Sequence, residues 1–224
     1  MSTILYTIRN SSHIGAFATA TDNLLFIGSG ILEKDKKVME EALSVPHVDL
    51  TISYSDLVGI FSRANSNGII LSNLVEKEEV ERLKSLRLGI NVGVIGSELN
   101  AVGNNIIAND KIAIVNPEYG HEEVKQIGDI LGVEVLKGPS MKYKTVGASN
   151  ILTNRGMLMN NRSTESEEEI ISRATKLKPV LTTANTGLLY IGLSAVANSN
   201  GAVVGKETTG FELQRLMEGL DLSS

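Results

Sequence analysis

The residues best suited to chemistry are few and scattered. The three histidines, His13, His47 and His121, are far apart in sequence, and no two stand at metal-ligand spacing, so they give no metal signal. Cysteine is absent, which removes thiolate metal sites, disulfides and cysteine nucleophiles in one step. Two glycine-containing stretches look like phosphate cradles at first sight. In Gly201–Glu207 (GAVVGKE) only three residues separate the glycines, and Glu207 stands where a phosphate loop needs a magnesium-binding hydroxyl. A strand leaving a hairpin into a turn explains that segment. Gly28-Ser29-Gly30 has Glu33 in place of a third glycine, so it opens no dinucleotide fingerprint. The acidic run Glu165–Glu169 (ESEEE) would suit a basic partner, but the negatively charged first turn of a helix accounts for it. No catalytic residue, cofactor or metal is expected from these patterns.

The elements that would have to position any site are set by a glycine beat. Gly15, Gly59, Gly103, Gly147 and Gly192 follow one another at intervals of 44, 44, 44 and 45 residues, each preceded by a β-branched residue: Ile14, Val58, Val102, Val146 and Ile191. A fixed period of this size signals a repeat architecture in which no unit is complete alone. After each beat comes a short apolar strand, a polar tip and a second apolar strand. The tips are Thr21–Asn23, Asn65–Gly68, Asn109–Lys111, Thr153–Gly156 and Asn198–Gly201. Asn, Asp and Gly tolerate the positive φ that tight hairpins use, so each unit is predicted to open with a β-hairpin whose tip adopts such φ values. The second strands (24–27, 69–71, 112–115, 157–159, 202–204) are nearly all apolar and should be buried on both faces.

Amphipathic helices are predicted at about 35–43, 77–86, 122–131, 164–174 and 211–220. Thr164 followed by Glu167 has capping-box spacing. Third strands are predicted at 48–52, 90–95, 133–136 and 180–181. The fifth unit lacks one, and Ile4–Ile8 lies about where a third strand should precede Gly15. That strand is expected to complete the last unit and close a ring, which also hides sheet edges. The predicted fold is a five-bladed α/β propeller with pseudo-fivefold symmetry and ββαβ-like units, formed as a single domain over residues 1–224.

Composition narrows the partners. The chain is 42% hydrophobic and 21% charged, as in a soluble globular protein, and no apolar run approaches the ~18 residues of a membrane span. The start MSTILYTIRN lacks the apolar core of a signal peptide, so the Asn-Ser-Ser and Asn-Arg-Ser triplets at 10–12 and 161–163 have no glycosylation meaning and a cytoplasmic location is expected. A formal net charge of −5, with no tryptophan and 4% aromatics, argues against tight binding of naked nucleic acid through phosphates or stacked bases. A basic protein partner fits better.

Several segments carry a family resemblance that runs through the whole chain: RNSSHIGAFA at 9–18, ANSNGIILSN at 64–73, ELNAVGNNIIANDKIAIVNP at 98–117, GDILGVEVLKG at 128–138, VGASNILTNRGMLMN at 146–160 and ANSNGAVVGKETTGFEL at 197–213. With the period, they resemble the pentein fold and, within it, the translation initiation factor 6 family in its archaeal form. The resemblance implies a monomeric factor that binds the large ribosomal subunit, chiefly on ribosomal protein uL14 near the sarcin–ricin loop of the large rRNA. It also implies steric blocking of small-subunit joining, a link to large-subunit maturation, and release by an SBDS-type protein with an elongation-factor-like GTPase. Eukaryotic members carry a further C-terminal tail with no counterpart after Ser224.

Two alternatives stand beside it: a pentein enzyme that modifies guanidino groups, and a general scaffold in ribosome assembly. The usual route of the enzymes needs a cysteine nucleophile, which this chain does not have. The residue after each beat differs between units (Ala16, Ile60, Asn104, Ala148, Leu193), while the period itself is structural. The resemblance puts a partner surface near the glycine loops of the first three units, so Gly15, Ile60, Asn104 and Asn105 are the candidate binding residues. Asn104→Asp or Gly15→Arg is expected to weaken subunit binding without unfolding the ring.

Overall fold

The computed structural model describes residues 2–138 and 143–223. Five three-stranded sheets recur around it. In the first, Ala18–Ala20 runs antiparallel to Leu25–Gly28, which runs parallel to His47–Leu50. The same pattern returns in Ser62–Ala64, Gly68–Ser72 and Asn91–Ile95. It returns again in Ile106–Ala108, Ile112–Val115 and Glu134–Lys137, and in Ile151–Leu152, Met157–Asn160 and Val180–Thr182. The fifth sheet pairs Ala195–Ala197 with Gly201–Gly205 and takes its third strand from Ser2–Tyr6, in the register Ser2 opposite Gly201 through Tyr6 opposite Gly205. The N-terminal strand thus fills the vacancy in the last unit. This is the mixed α/β, pentein-like fold read from the period, built from five separate sheets rather than one continuous barrel.

Every residue of the five middle strands is buried, as their largely apolar composition requires, with Ser72 and Asn160 the polar exceptions. The long helices are Glu33–Leu43, Lys77–Ser85, His121–Leu131, Glu165–Thr175 and Gly210–Gly219. Packing explains why units cannot stand alone. The first helix buries Met39, Ala42 and Leu43 in one cluster with Val196 and Val203 of the fifth sheet. The third helix lies against Gly68–Ser72 and Asn91–Ile95 of the second sheet, and the fifth against the fourth sheet. Each of these helices therefore caps the sheet of the unit before it. Burying a side chain such as Met39 or Leu43 contributes roughly 1.5–3 kcal/mol, and the share made with the fifth sheet is lost if neighbouring units part.

Two local expectations need correction. The units do not open directly with the hairpin: each beat glycine lies in a single helical turn, Ile14–Ala16, Val58–Phe61, Val102–Asn105, Val146–Ser149 and Ile191–Ser194, and the first hairpin strand follows it. The hairpin tips also avoid positive φ, which occurs elsewhere, at Arg9-Asn10, Ser53-Tyr54 and Asn185-Thr186 among others. At each tip a side chain replaces the backbone device. Asn65 Oδ1 accepts the N–H groups of Asn67 and Gly68 (both 3.0 Å), Asn109 Oδ1 those of Lys111 and Ile112, and Asn198 Oδ1 those of Asn200 and Gly201. Thr21 and Thr153 do the same with a hydroxyl. Asparagine and threonine were selected as local acceptors, which is the Asx- and ST-turn role of these residues.

Candidate functional site

The beat turns form one end of the ring, and they touch in a full circle. A Cβ built on Gly59 would lie 1.9 Å from the carbonyl oxygen of Gly15, one on Gly103 1.9 Å from that of Gly59, and one on Gly147 2.0 Å from that of Gly103. Gly192 meets Gly147 O at 2.0 Å, and Gly15 meets Gly192 O at 2.0 Å, closing the circuit. The glycines are there because only a hydrogen fits between adjacent turns.

This contact divides the four candidate residues. Gly15 is buried inside the circle, so Gly15→Arg cannot leave the ring intact, and that expectation is withdrawn. Asn105 is also buried: its Nδ2 donates to Ala101 O (3.0 Å), and its Oδ1 accepts from Asn116 Nδ2 (2.8 Å). It ties the third beat turn to the turn that follows the middle strand Ile112–Val115. Ile60 and Asn104 are partly exposed at equivalent places on adjacent turns. The Asn104 backbone N–H is held by Ala101 O (3.0 Å), while its side-chain amide has no protein partner among the described residues. Ile60 belongs to none of the buried apolar clusters. Sequence reasoning did not single out the neighbouring aromatics. Tyr190, just before the fifth turn, packs edge-on against Tyr143 with ring centres 6.4 Å apart, and Tyr54 is 78% exposed.

A second beat, also unnoticed in the sequence, braces the loops. Asp35, Glu79, Glu123, Glu167 and Glu212 occupy the third position of the five long helices. Glu79 accepts from the Thr51 hydroxyl and from the N–H groups of Ser53, Tyr54 and Glu76. It therefore holds the left-handed Ser53-Tyr54 turn. Glu212 does likewise for Thr183, Thr186, Gly187 and Thr209. Burial opposes ionisation of both carboxyls, but the hydrogen bonds outweigh it and hold each below the usual carboxylate value. The acidic run behaves as expected: Glu165, Glu167 and Glu168 lie in the first turn of a helix, with the Thr164–Glu167 capping box formed.

The opposite end of the ring is laced by side-chain hydrogen bonds between tips. Asn65 Nδ2 donates to Asn109 O, Asn109 Nδ2 to Thr153 O and Asn198 Nδ2 to Thr21 O, each at 3.0 Å. Asn154 Nδ2 bridges Asp22 (2.8 Å) and Asp110 (2.6 Å), whose carboxylates also hold Ser199 and Ser66. Between the two ends lies a cavity of about 30 Å³, lined in part by Thr19, Arg63 and Asn150. Guanidino-modifying enzymes of this fold class need a nucleophile and carboxylates there. Here the central charge is a cation: Arg63, whose Nη2 donates to Gly103 O (2.6 Å). Burial pulls its guanidinium down to about 10, so it remains charged at neutral pH.

One cluster has metal-ligand character that the spacing of histidines did not reveal. Glu33, His47 and Asp49 bring ligand atoms within 4.8 Å of one another. The buried Lys36 ammonium already takes that position, at 2.8 Å from Glu33 Oε1 and 2.6 Å from Asp49 Oδ1. The arrangement is a salt-bridge network that a cation would have to disrupt. No helix among the described residues is long and apolar enough to cross a membrane.

The profile of the eIF-6 family matches residues 3–219, almost the whole ring. The chain belongs to the eIF-6 family. It is similar to translation initiation factor 6 of Pyrococcus abyssi, with 38% identity over 95% of this chain and 96% of the relative. The factor of Picrophilus torridus is 38% identical over 95% and 97%, and that of Methanosarcina mazei 38% over 95% of each. Membership agrees with the resemblance drawn from the sequence and makes the chain a member of a translation-factor family. The eIF-6 match spans all five beats, so the ring circuit and the differing residues beside it belong to the matched region.

Proposed function

We propose that the protein binds the large ribosomal subunit with the ring end that carries Ile60 and Asn104, and so keeps the small subunit from joining. Membership of the eIF-6 family supports a role in translation. The observation that carries the choice of surface is Asn104: a partly exposed amide without a protein partner among the described residues, beside a partly exposed isoleucine, on otherwise repeated turns. Such a pair offers one directed hydrogen bond and one apolar contact, which suits a protein surface better than a phosphate backbone. The net charge of −5 favours a basic partner, and we assign that partner as ribosomal protein uL14, close to the sarcin–ricin loop. Gly15 and Asn105 serve the same surface from beneath, by fixing the turns that present it.

The action is steric and needs no catalysis. The chain has no cysteine, the tip end is laced by hydrogen bonds, and the central cavity holds a guanidinium of the protein itself. A single body over residues 1–224 acts in the cytoplasm as a monomer, until an SBDS-type protein and an elongation-factor-like GTPase remove it. Gradient sedimentation of purified large and small subunits, with and without the protein, tests this reading. Co-migration with the large subunit and loss of joined ribosomes are expected. A protein that stays at the top of the gradient and leaves joining unchanged refutes the proposal.

A further inference from the structure

The cavity at the ring centre leaves an unusual set of groups unsatisfied. Thr19, Arg63 and Asn150 all line it, and each has one buried side-chain polar atom without a hydrogen-bond partner among the described residues: Thr19 Oγ1, Arg63 Nε and Asn150 Oδ1. Thr19 is 2% exposed and Asn150 1%. The orientation of Asn150 is fixed, because its Nδ2 donates to Val146 O at 2.8 Å, so the acceptor end is the unpartnered one. The cavity therefore presents two donors and one acceptor. It also presents a whole charge. Arg63 makes no ion pair among the described residues, and burial alone perturbs it. The acidic tip residues Asp22 and Asp110 are engaged by Ser199, Ser66 and Asn154 at the laced end.

Water satisfies hydrogen bonds but does not balance a charge. Arg63 is partly buried and its Nε fully so, and a cation held out of bulk water without a counter-ion is costly; arginine does not escape that cost by losing its proton near neutral pH. The volume of about 30 Å³ exceeds the roughly 10–15 Å³ that one water needs. We propose that this cavity binds one small monovalent anion of chloride size on the Nε–H of Arg63, together with one water. The anion accepts from Arg63 and from the Thr19 hydroxyl. The water donates one hydrogen to Asn150 Oδ1 and the other to the anion. All three orphaned atoms are then used and the charge is neutralised. Because Arg63 Nη2 also holds Gly103 O, the anion is linked through one side chain to the glycine circuit.

Bromide serves as the probe, since it replaces chloride and scatters anomalously. Crystals of the full chain grown without halide and soaked in sodium bromide should show one anomalous peak in the cavity, within hydrogen-bonding distance of Arg63 Nε. In solution, replacing gluconate by bromide at constant ionic strength should raise the melting temperature saturably, by roughly 3–5 °C at tenfold excess over Kd. In Arg63→Met the saturable rise should vanish. If the variant does not fold, the wild-type crystal still decides. Cavity density without anomalous signal overturns the proposal in favour of water alone. A peak in crystals without a saturable solution response means binding at crystal concentration only, and overturns it too.

Discussion

Replacing Gly59 by alanine adds one methyl group to the ring, and its effect can be worked out from the circuit of turns. The new Cβ would lie 1.9 Å from Gly15 O and 2.5 Å from Ala18 O. Both obstacles are backbone, so no side-chain rotation relieves them. Reaching a normal contact of about 3.2 Å means shifting one turn by roughly 1.3 Å, and the circle offers no free end to absorb the shift. Overpacking of this kind costs about 1–3 kcal/mol, and the rigid obstacles on both sides put Gly59→Ala near the top of that range. The smaller entropy of the unfolded alanine chain returns only about 0.4–1 kcal/mol. At 2–4 °C per kcal/mol for a chain of this size, melting should fall by roughly 5–10 °C. Circular-dichroism melts of the purified variant provide the assay. Gly210→Ala is the control: a Cβ at Gly210 meets nothing within 4 Å, and its φ is ordinary, so this variant should melt at or slightly above the parent temperature. If Gly59→Ala melts within about 2 °C of the parent, the circuit is not a rigid constraint and the reasoning fails.

Three further outcomes follow from the same structure. Asn65→Ala removes an acceptor of two tip N–H groups and a donor to Asn109 O and Leu131 O, and should cost about 2–4 kcal/mol in urea denaturation. Glu79 and Glu212 have folded values below the ordinary 4.5, so the stability they give is complete above pH 4.5 and is lost as pH falls through the depressed values. Stability measured against pH should therefore drop on the acid side, and Glu79→Gln and Glu212→Gln should flatten that drop; an unchanged acid limb in the double variant counts against the bracing role. Asn104→Asp and Ile60→Glu should each weaken large-subunit binding about tenfold or more while leaving the melting temperature within about 2 °C, measured by subunit pelleting.

The fold was legible because its cause is periodic. Strict intervals between glycines reflect a steric demand that cannot be met by any other residue, so the demand is written into composition. The strand borrowed by the fifth unit was readable for a similar reason: Ile4–Ile8 stands at roughly the distance from Gly15 that third strands keep from later beats, and the pairing formed at Ser2–Tyr6. The tips were misread in mechanism. Asn and Gly signal positive φ in general, but Asn65 and Asn198 use their carboxamides, which composition does not distinguish. The candidate surface was half legible. Differences after the beat pointed to Ile60 and Asn104, yet nothing in the sequence tells that Asn105, one residue on, turns inward to Asn116. The third-position carboxylates were visible as a second period and were overshadowed by the helix-dipole reading of Glu165–Glu169. Arg63 carried no signal at all, since a single arginine between Ser62 and Ala64 reads as surface.

The borrowed strand has a consequence for how the protein is made. Ser2–Tyr6 emerges from the ribosome about two hundred residues ahead of Gly201–Gly205, the strand it must pair with. The first long helix waits as well, because Met39 and Leu43 pack against Val203. Middle units can assemble on one another during synthesis, but the leading segment has to remain unclaimed until Gly201–Gly205 has been made. A polypeptide halted before Gly201 has no partner for its leading strand and leaves the last sheet edge open, a site for pairing with other chains.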